Sequence, residues 1–149
     1  MAAWKVAVVG LGTVGLATAK YIAFTPGIEV FGYDIAEKYI DLFPTTTSWE
    51  AIPHDEIDVY IVAVWTGYED GRPDLSSLHD VLSKIADGGR RDALVSVEST
   101  VPPGTLRAAA ERFSLRLLAH VPHRYWPADP LRHGVRQPRV LGAPNEESA

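Results

Sequence analysis

Lys5-Val6-Ala7-Val8-Val9-Gly10-Leu11-Gly12-Thr13-Val14-Gly15 is the stretch on which the reading of the whole chain turns. Lys5–Val9 is a short apolar run rich in valine, the pattern of a strand buried on both faces of a parallel sheet. The glycines of 10–15 interrupt it. Beyond them Val14, Ala17, Thr18, Tyr21 and Ile22 share one helical face, and Pro26-Gly27 ends that helix. A G-x-G-x-x-G between a buried strand and such a helix has a mechanical meaning. The first glycine permits the tight turn, the second lets the backbone approach a pyrophosphate, and the third lets helix and strand pack closely. Free N–H groups at the helix start face the phosphates. Gly10, Leu11, Gly12, Thr13, Val14 and Gly15 are therefore the expected phosphate-binding loop.

The same pattern predicts an acid about 20 residues on, at the end of a second strand. Glu29–Tyr33 reads as that strand and Asp34 closes it, 19 residues after Gly15. A carboxylate there accepts hydrogen bonds from adenosine-ribose hydroxyls and repels a 2′-phosphate. The expected cofactor is thus NAD rather than NADP. Flavin and S-adenosylmethionine proteins share the turn, and a glycine turn without a ligand is the plainer alternative.

The remaining elements alternate. A short helix is expected around Ala36–Leu42, then a polar connection over 44–53. Ile57–Val64 is the strongest strand signal, followed by a loop over 66–73. Asp74 can cap a helix carrying Leu75, Leu78, Leu82 and Ile85, which Gly88-Gly89 stops. Ala93–Val97 reads as a strand. Pro102-Pro103-Gly104 opens a helix with Leu106, Ala109, Ala110 and Phe113 on one face. Leu115–Val121 reads as a strand and Arg139–Leu141 as a last one. Strands separated by helices mean βαβ units and a parallel sheet: an α/β, Rossmann-type doubly wound single domain over 1–143, with 144–149 as a flexible tail.

Composition narrows the function classes. The 149 residues carry a net charge of −5, are 46% hydrophobic and include no cysteine. Disulfides, thiolate zinc sites and a cysteine nucleophile are excluded from this chain. Residues 1–99 hold 7 Lys/Arg against 15 Asp/Glu, and residues 100–149 hold 7 Arg against 4 acids. An acidic whole argues against a nucleic-acid partner. No apolar run approaches the ~18 residues of a membrane span, and the N-terminus shows no leader pattern. A cytoplasmic protein is expected.

Three stretches resemble the UDP-glucose/GDP-mannose dehydrogenase family in its N-terminal NAD-binding domain. Gly10–Leu16 is similar to that family's GLGYVGL, with Thr13 in place of tyrosine. Val62-Ala63-Val64-Trp65-Thr66, followed by Asp70-Gly71-Arg72-Pro73-Asp74-Leu75-Ser76, resembles its V-x-V-P-T-P and trailing D-G-x-P-D-L-S. Glu98-Ser99-Thr100-Val101-Pro102-Pro103-Gly104-Thr105 resembles its S-T-V-P-P-G-T run and is the most specific of the three. The resemblance implies that Val64, Thr66 and Thr100 line the cofactor cleft. It also implies that Lys38 matches a basic residue near the adenosine ribose; a plain surface lysine is the equal alternative.

Further on, His120-Val121-Pro122-His123-Arg124 resembles a strand ending in S-P-E-R, with His123 where the glutamate stands. Arg139 matches the arginine of an R-V-x-G segment. The family oxidises a sugar alcohol twice with two NAD, using a cysteine and a lysine from later domains. Without cysteine, this chain is not expected to complete that route. It reads as the NAD(H)-binding part of a nucleotide-sugar 6-dehydrogenase, with C-terminal domains or a separate subunit expected to carry the sugar site. A homo-oligomer stays open. Two alternatives also stay open: a nucleotide-responsive binding module, and a small dehydrogenase making a single hydride transfer with His120 or His123 as acid/base. His120 and His123 are not expected to hold a metal. Tyr125 and Trp126 either stack on a ligand or pack a loop.

Overall fold

The computed structural model describes residues 3–148. Its elements in chain order are β1 (Trp4–Val9), α1 (Thr13–Ala23), β2 (Ile28–Tyr33), β3 (Thr45–Thr46), β4 (Val59–Val62), β5 (Gly67–Glu69), β6 (Arg72–Asp74), α2 (Ser76–Gly88), β7 (Leu94–Val97), α3 (Thr105–Phe113) and β8 (Leu118–His120). Six strands form one sheet in the order β3-β2-β1-β4-β7-β8, and every pairing in it is parallel. The strand order reverses between β1 and β4. That switch point is where open α/β sheets bind ligands, outside the carboxyl ends of the strands.

Alternation along β1 sorts the core into two layers. Val6 and Val8 pack with Leu11, Ala19, Val30 and Phe43 on the face covered by α1. Ala7 and Val9 turn to the opposite face and join Tyr60, Val62, Val95 and Val97 beneath α2 and α3. The α2 face supplies Leu78, Val81, Leu82 and Ile85, all buried. Burying one such aliphatic side chain contributes about 1.5–3 kcal/mol, so removing Leu82 or Leu78 would unpack helix and sheet together.

Three expectations are corrected. No helix forms over Ala36–Leu42. Asp34 Oδ1 instead accepts from the Ala36 N–H at 2.9 Å, and the Thr45 hydroxyl donates to the Lys38 carbonyl. Such side-chain bonds take up backbone groups that a helix would use, while Phe43 enters the core. The segment 66–73 is not a loop but the β5–β6 hairpin. Its tip is Asp70-Gly71, both at positive φ (49° and 73°), as a two-residue turn of the primed type requires. Arg139–Leu141 is not a strand. Its neighbourhood contributes a single antiparallel bridge, Gly142 with His120. Near the end of the described residues lies a short 3₁₀ turn, Glu146–Ser148. There Ser148 is buried and its hydroxyl meets the Leu118 N–H at 3.1 Å and the Arg116 carbonyl at 2.9 Å.

The β2-to-β4 connection is held by aromatic packing instead of a helix. Trp49 meets Tyr33 edge-on, with centroids 5.2 Å apart, and lies over His54 at 4.6 Å. His54 Nε2 lies 2.8 Å from the Trp49 carbonyl, so that nitrogen carries the proton. Nδ1 then accepts from the Tyr60 hydroxyl at 2.8 Å. Burial raises the Tyr60 phenol above its ordinary value.

Candidate functional site

The glycine loop leaves the end of β1 and enters α1 through three glycines with three different environments. Gly10 sits at φ +90°, and a Cβ there would lie 2.6 Å from the Ala63 carbonyl oxygen. Gly15 is tighter still: its Cβ would come within 1.8 Å of the Gly10 oxygen. Protein backbone therefore demands both. Gly12 is different. It has φ −76°, which any residue can adopt, and a Cβ on it would meet nothing within 4 Å. The fold does not require this glycine; the open space above it is what a close-approaching ligand would use.

Asp34 stands beside that loop at the end of β2. Its Oδ2 accepts from the Leu11 N–H at 2.7 Å and its Oδ1 from Ala36. Each carboxylate oxygen has a second lone pair for a hydroxyl. Gly10, Gly12, Asp34 and Val64 line one cavity of about 280 Å³ at the β1–β4 switch point. Leu11 turns its side chain into the core and offers only its backbone. Thr13 is exposed at the start of α1. Thr66 and Thr100 are brought together, the Thr66 hydroxyl donating to the Thr100 carbonyl at 2.7 Å. Lys38 does not line the cavity.

The two histidines stand apart from it. His120 lines a separate cavity of about 470 Å³ at the start of α3, and its Nε2 lies 3.0 Å from the Ser99 carbonyl. His123 Nδ1 accepts from the Tyr125 N–H at 2.8 Å, which places the neutral ring's proton on Nε2. Among the described residues that nitrogen is buried without a hydrogen-bond partner. Burial, helped by the Arg139 guanidinium and opposed by Glu98, holds His123 below the usual imidazole range. Among the described residues no three His, Asp or Glu side chains gather to hold a metal.

Glu98, which the sequence pattern gives no role, joins two parts of the fold. Its side chain is almost fully buried at the end of β7. Oε1 accepts from Arg139 at 2.6 Å and Oε2 from the Thr18 hydroxyl of α1 at 3.1 Å. An acid placed directly after an apolar strand was the only signal for it. Trp65, Ser77 and Asp80 also line the 280 Å³ cavity and were not singled out. Their spacing in sequence carries no pattern, because the hairpin lies between them.

A doubly wound sheet with a glycine-turn cradle at its switch point and an acid at the end of its second strand defines a dinucleotide-binding domain. The sequence over 41–149 matches the UDP-glucose/GDP-mannose dehydrogenase family, NAD binding domain, and the chain belongs to that family. NAD is the cofactor of this domain. The chain is 30% identical to UDP-N-acetyl-D-mannosamine dehydrogenase of Pyrococcus horikoshii, over 97% of its own length and 42% of that protein's. It is 27% identical to the enzyme of the same name from Campylobacter jejuni, over 97% and 45%. The solved Pyrococcus horikoshii structure superposes with a TM-score of 0.83. That of the Staphylococcus aureus UDP-N-acetyl-mannosamine dehydrogenase does so at 0.76, with 25% identity over 97% of this chain and 42% of that one. This chain thus spans about two fifths of the relatives it matches. The first alignment runs over 177 positions, more than the whole 149-residue chain, so that relative carries residues within this domain that the present chain lacks.

Proposed function

We propose that this chain holds NAD(H) at the β1–β4 switch point as the cofactor half of a nucleotide-sugar dehydrogenase acting in the cytoplasm. The carrying observation is the contrast among the three glycines: Gly10 and Gly15 are closed in by backbone, whereas Gly12 is open exactly where no protein atom needs it open. The pyrophosphate lies over Gly12 and the start of α1, with Thr13 and Val14 presenting N–H groups. Asp34 accepts from the adenosine-ribose hydroxyls, and Val64, Thr66 and Thr100 border the cofactor's path. Bound NAD supplies the hydride acceptor. The sugar site belongs to further protein, either additional domains or a separate subunit. The names of the relatives from Pyrococcus horikoshii and Campylobacter jejuni point to a UDP-N-acetylhexosamine as the sugar nucleotide.

Titration calorimetry of the chain with NAD, NADH and NADPH tests the cofactor reading. Binding of NAD(H), accompanied by a rise in Tm with ligand concentration, is the expected result. No heat at millimolar NAD would remove it.

A second reading follows from His123. It stands where the family motif carries glutamate, and it faces Glu98 and Arg139 instead of the cavity. On that reading the chain is a nucleotide-responsive module without chemistry of its own. NADH formation by the purified chain with UDP-N-acetylmannosamine or UDP-glucose would rule the module out.

A further inference from the structure

The end of the sheet opposite the cofactor cavity holds a second, enclosed cavity of about 160 Å³. It lies where α2 and α3 both end, beneath the first residues of β7 and β8. We propose that it is a ligand site for a small aryl carboxylate: the ring enters the apolar interior and the carboxylate pairs with Arg91 at the mouth. The proposal is independent of the NAD reading, because the two cavities share no lining residue.

The interior is an extension of the core. Ile85 of α2 and Ala93 and Val95 of β7 and its approach are buried, and Phe113 and Leu115 pack against the same cluster. Phe113 is the aromatic wall. Its ring centroid lies 5.9 Å from that of His79 and 5.1 Å from the Arg112 guanidinium, so neighbours on two elements fix its orientation. A void of about 150 Å³ with aliphatic and aromatic walls accepts a benzene ring. The present cavity therefore has room for one ring, which can meet Phe113 edge-on or offset.

The mouth is cationic. Three of the ten arginines in an acidic chain, Arg90, Arg91 and Arg116, line this one cavity, and no acid lines it. They differ in what they hold. Arg90 has every nitrogen engaged, Nε and Nη2 with Asp92 and Nη1 with Asp58. Arg116 pairs with Glu147. Arg91 is exposed and makes no ion pair among the described residues. Its planar fork offers two parallel N–H groups, matched to the two oxygens of a carboxylate.

The helix ends set the ligand's direction. The carbonyl ends of α2 and α3 carry partial negative charge and disfavour an anion placed deep between them. A carboxylate stays at the mouth beside Arg91, and the uncharged ring lies inside.

The test is titration of the full, isotope-labelled chain with sodium benzoate at constant ionic strength, followed by amide chemical shifts. Saturable shifts are expected at Gly89, Arg91 and the 114–117 turn, with a Kd of about 1 mM, ordinary for so small a ligand. Benzamide, the neutral isostere, and acetate, the head without the ring, should each bind about ten-fold more weakly or worse. Arg91→Gln should weaken benzoate by about ten-fold or more. Ala86→Leu, a change between good helix formers at an exposed position lining the cavity, fills the opening and should abolish binding. Both variants alter exposed side chains, and amide spectra that overlay wild type away from the cavity establish that they are folded. Undiminished benzoate affinity in Arg91→Gln or Ala86→Leu, or equal affinity for benzamide, overturns the proposal. So does the absence of saturable shifts at about 20 mM benzoate, which would leave the arginines as counter-charges to two helix ends. Each of these outcomes leaves the NAD reading untouched.

Discussion

Arg139 donates to the buried Glu98 carboxylate at 2.6 Å, and Thr18 on α1 holds the other oxygen of the same carboxylate. The chain after β8 is thereby tied to the helix that follows the glycine loop. Removing one partner of a buried pair leaves an uncompensated charge, at a cost of about 3–5 kcal/mol. Arg139→Met should therefore destabilise strongly. Combining it with Glu98→Gln should cost less than the two single changes added together. Urea denaturation of the four proteins measures this, and strict additivity would show that the pair is not coupled.

The glycines separate fold from ligand. Gly15→Ala and Gly10→Ala drive a Cβ into backbone and should lower Tm by many degrees. Gly12→Ala meets no protein atom, so its Tm should match or slightly exceed wild type, alanine stabilising by about 0.4–1 kcal/mol where the backbone permits it. Its NAD affinity should fall sharply, because the new methyl stands where the pyrophosphate approaches. A Gly12→Ala protein that folds and binds NAD as wild type does would refute the placement of the phosphates.

On the proposed reading Asp34 sets the choice between NAD and NADP. Asp34→Ala should weaken NAD through the lost ribose hydrogen bonds, each to a charged acceptor contributing about 1.5–3 kcal/mol. It should also narrow the gap to NADPH by removing the repulsion of the 2′-phosphate. The ratio of the two dissociation constants reads this directly; a ratio unchanged from wild type would place the ribose elsewhere.

Two histidines shape the acid limb of stability. His123 is held below the usual 6.5 by burial and Arg139, and His79 by burial and Arg112. Between that value and the depressed folded ones, the unfolded chain binds more protons. The stability these groups contribute is complete above about pH 6.5 and is lost as the pH falls through the folded values. His123→Gln should flatten the fall in Tm over that window while leaving neutral-pH behaviour similar. Parallel slopes for the two proteins would assign the acid limb to other groups.

Much of this was legible in one dimension. The run Lys5–Gly15 and the distance to Asp34 located the strand, the glycine turn, the helix start and the acid beside them, because each part answers to a local constraint. The hairpin tip Asp70-Gly71 carried its signal too, as a dipeptide suited to positive φ, yet the flanking residues are too polar to read as strands. The helix expected at Ala36–Leu42 failed for the converse reason. Its residues favour helix, but Asp34 and Thr45 capture the local backbone.

By itself the sequence determined the alternating strands and helices around the sheet, the glycine turn after β1, the acid beside it and, through its lack of cysteine, the absence of thiol chemistry from these 149 residues. These follow from periodicity and spacing among near neighbours. Only the tertiary structure decided that Glu98 is shared by Thr18 and Arg139, that His123 stands apart from the cavity at the switch point, and that Trp65 and Asp80 line that same cavity. Those relations join residues 15 to 80 positions apart, and a distance of that kind is set by how strands order in the sheet and which face each helix covers, not by any local preference of the chain.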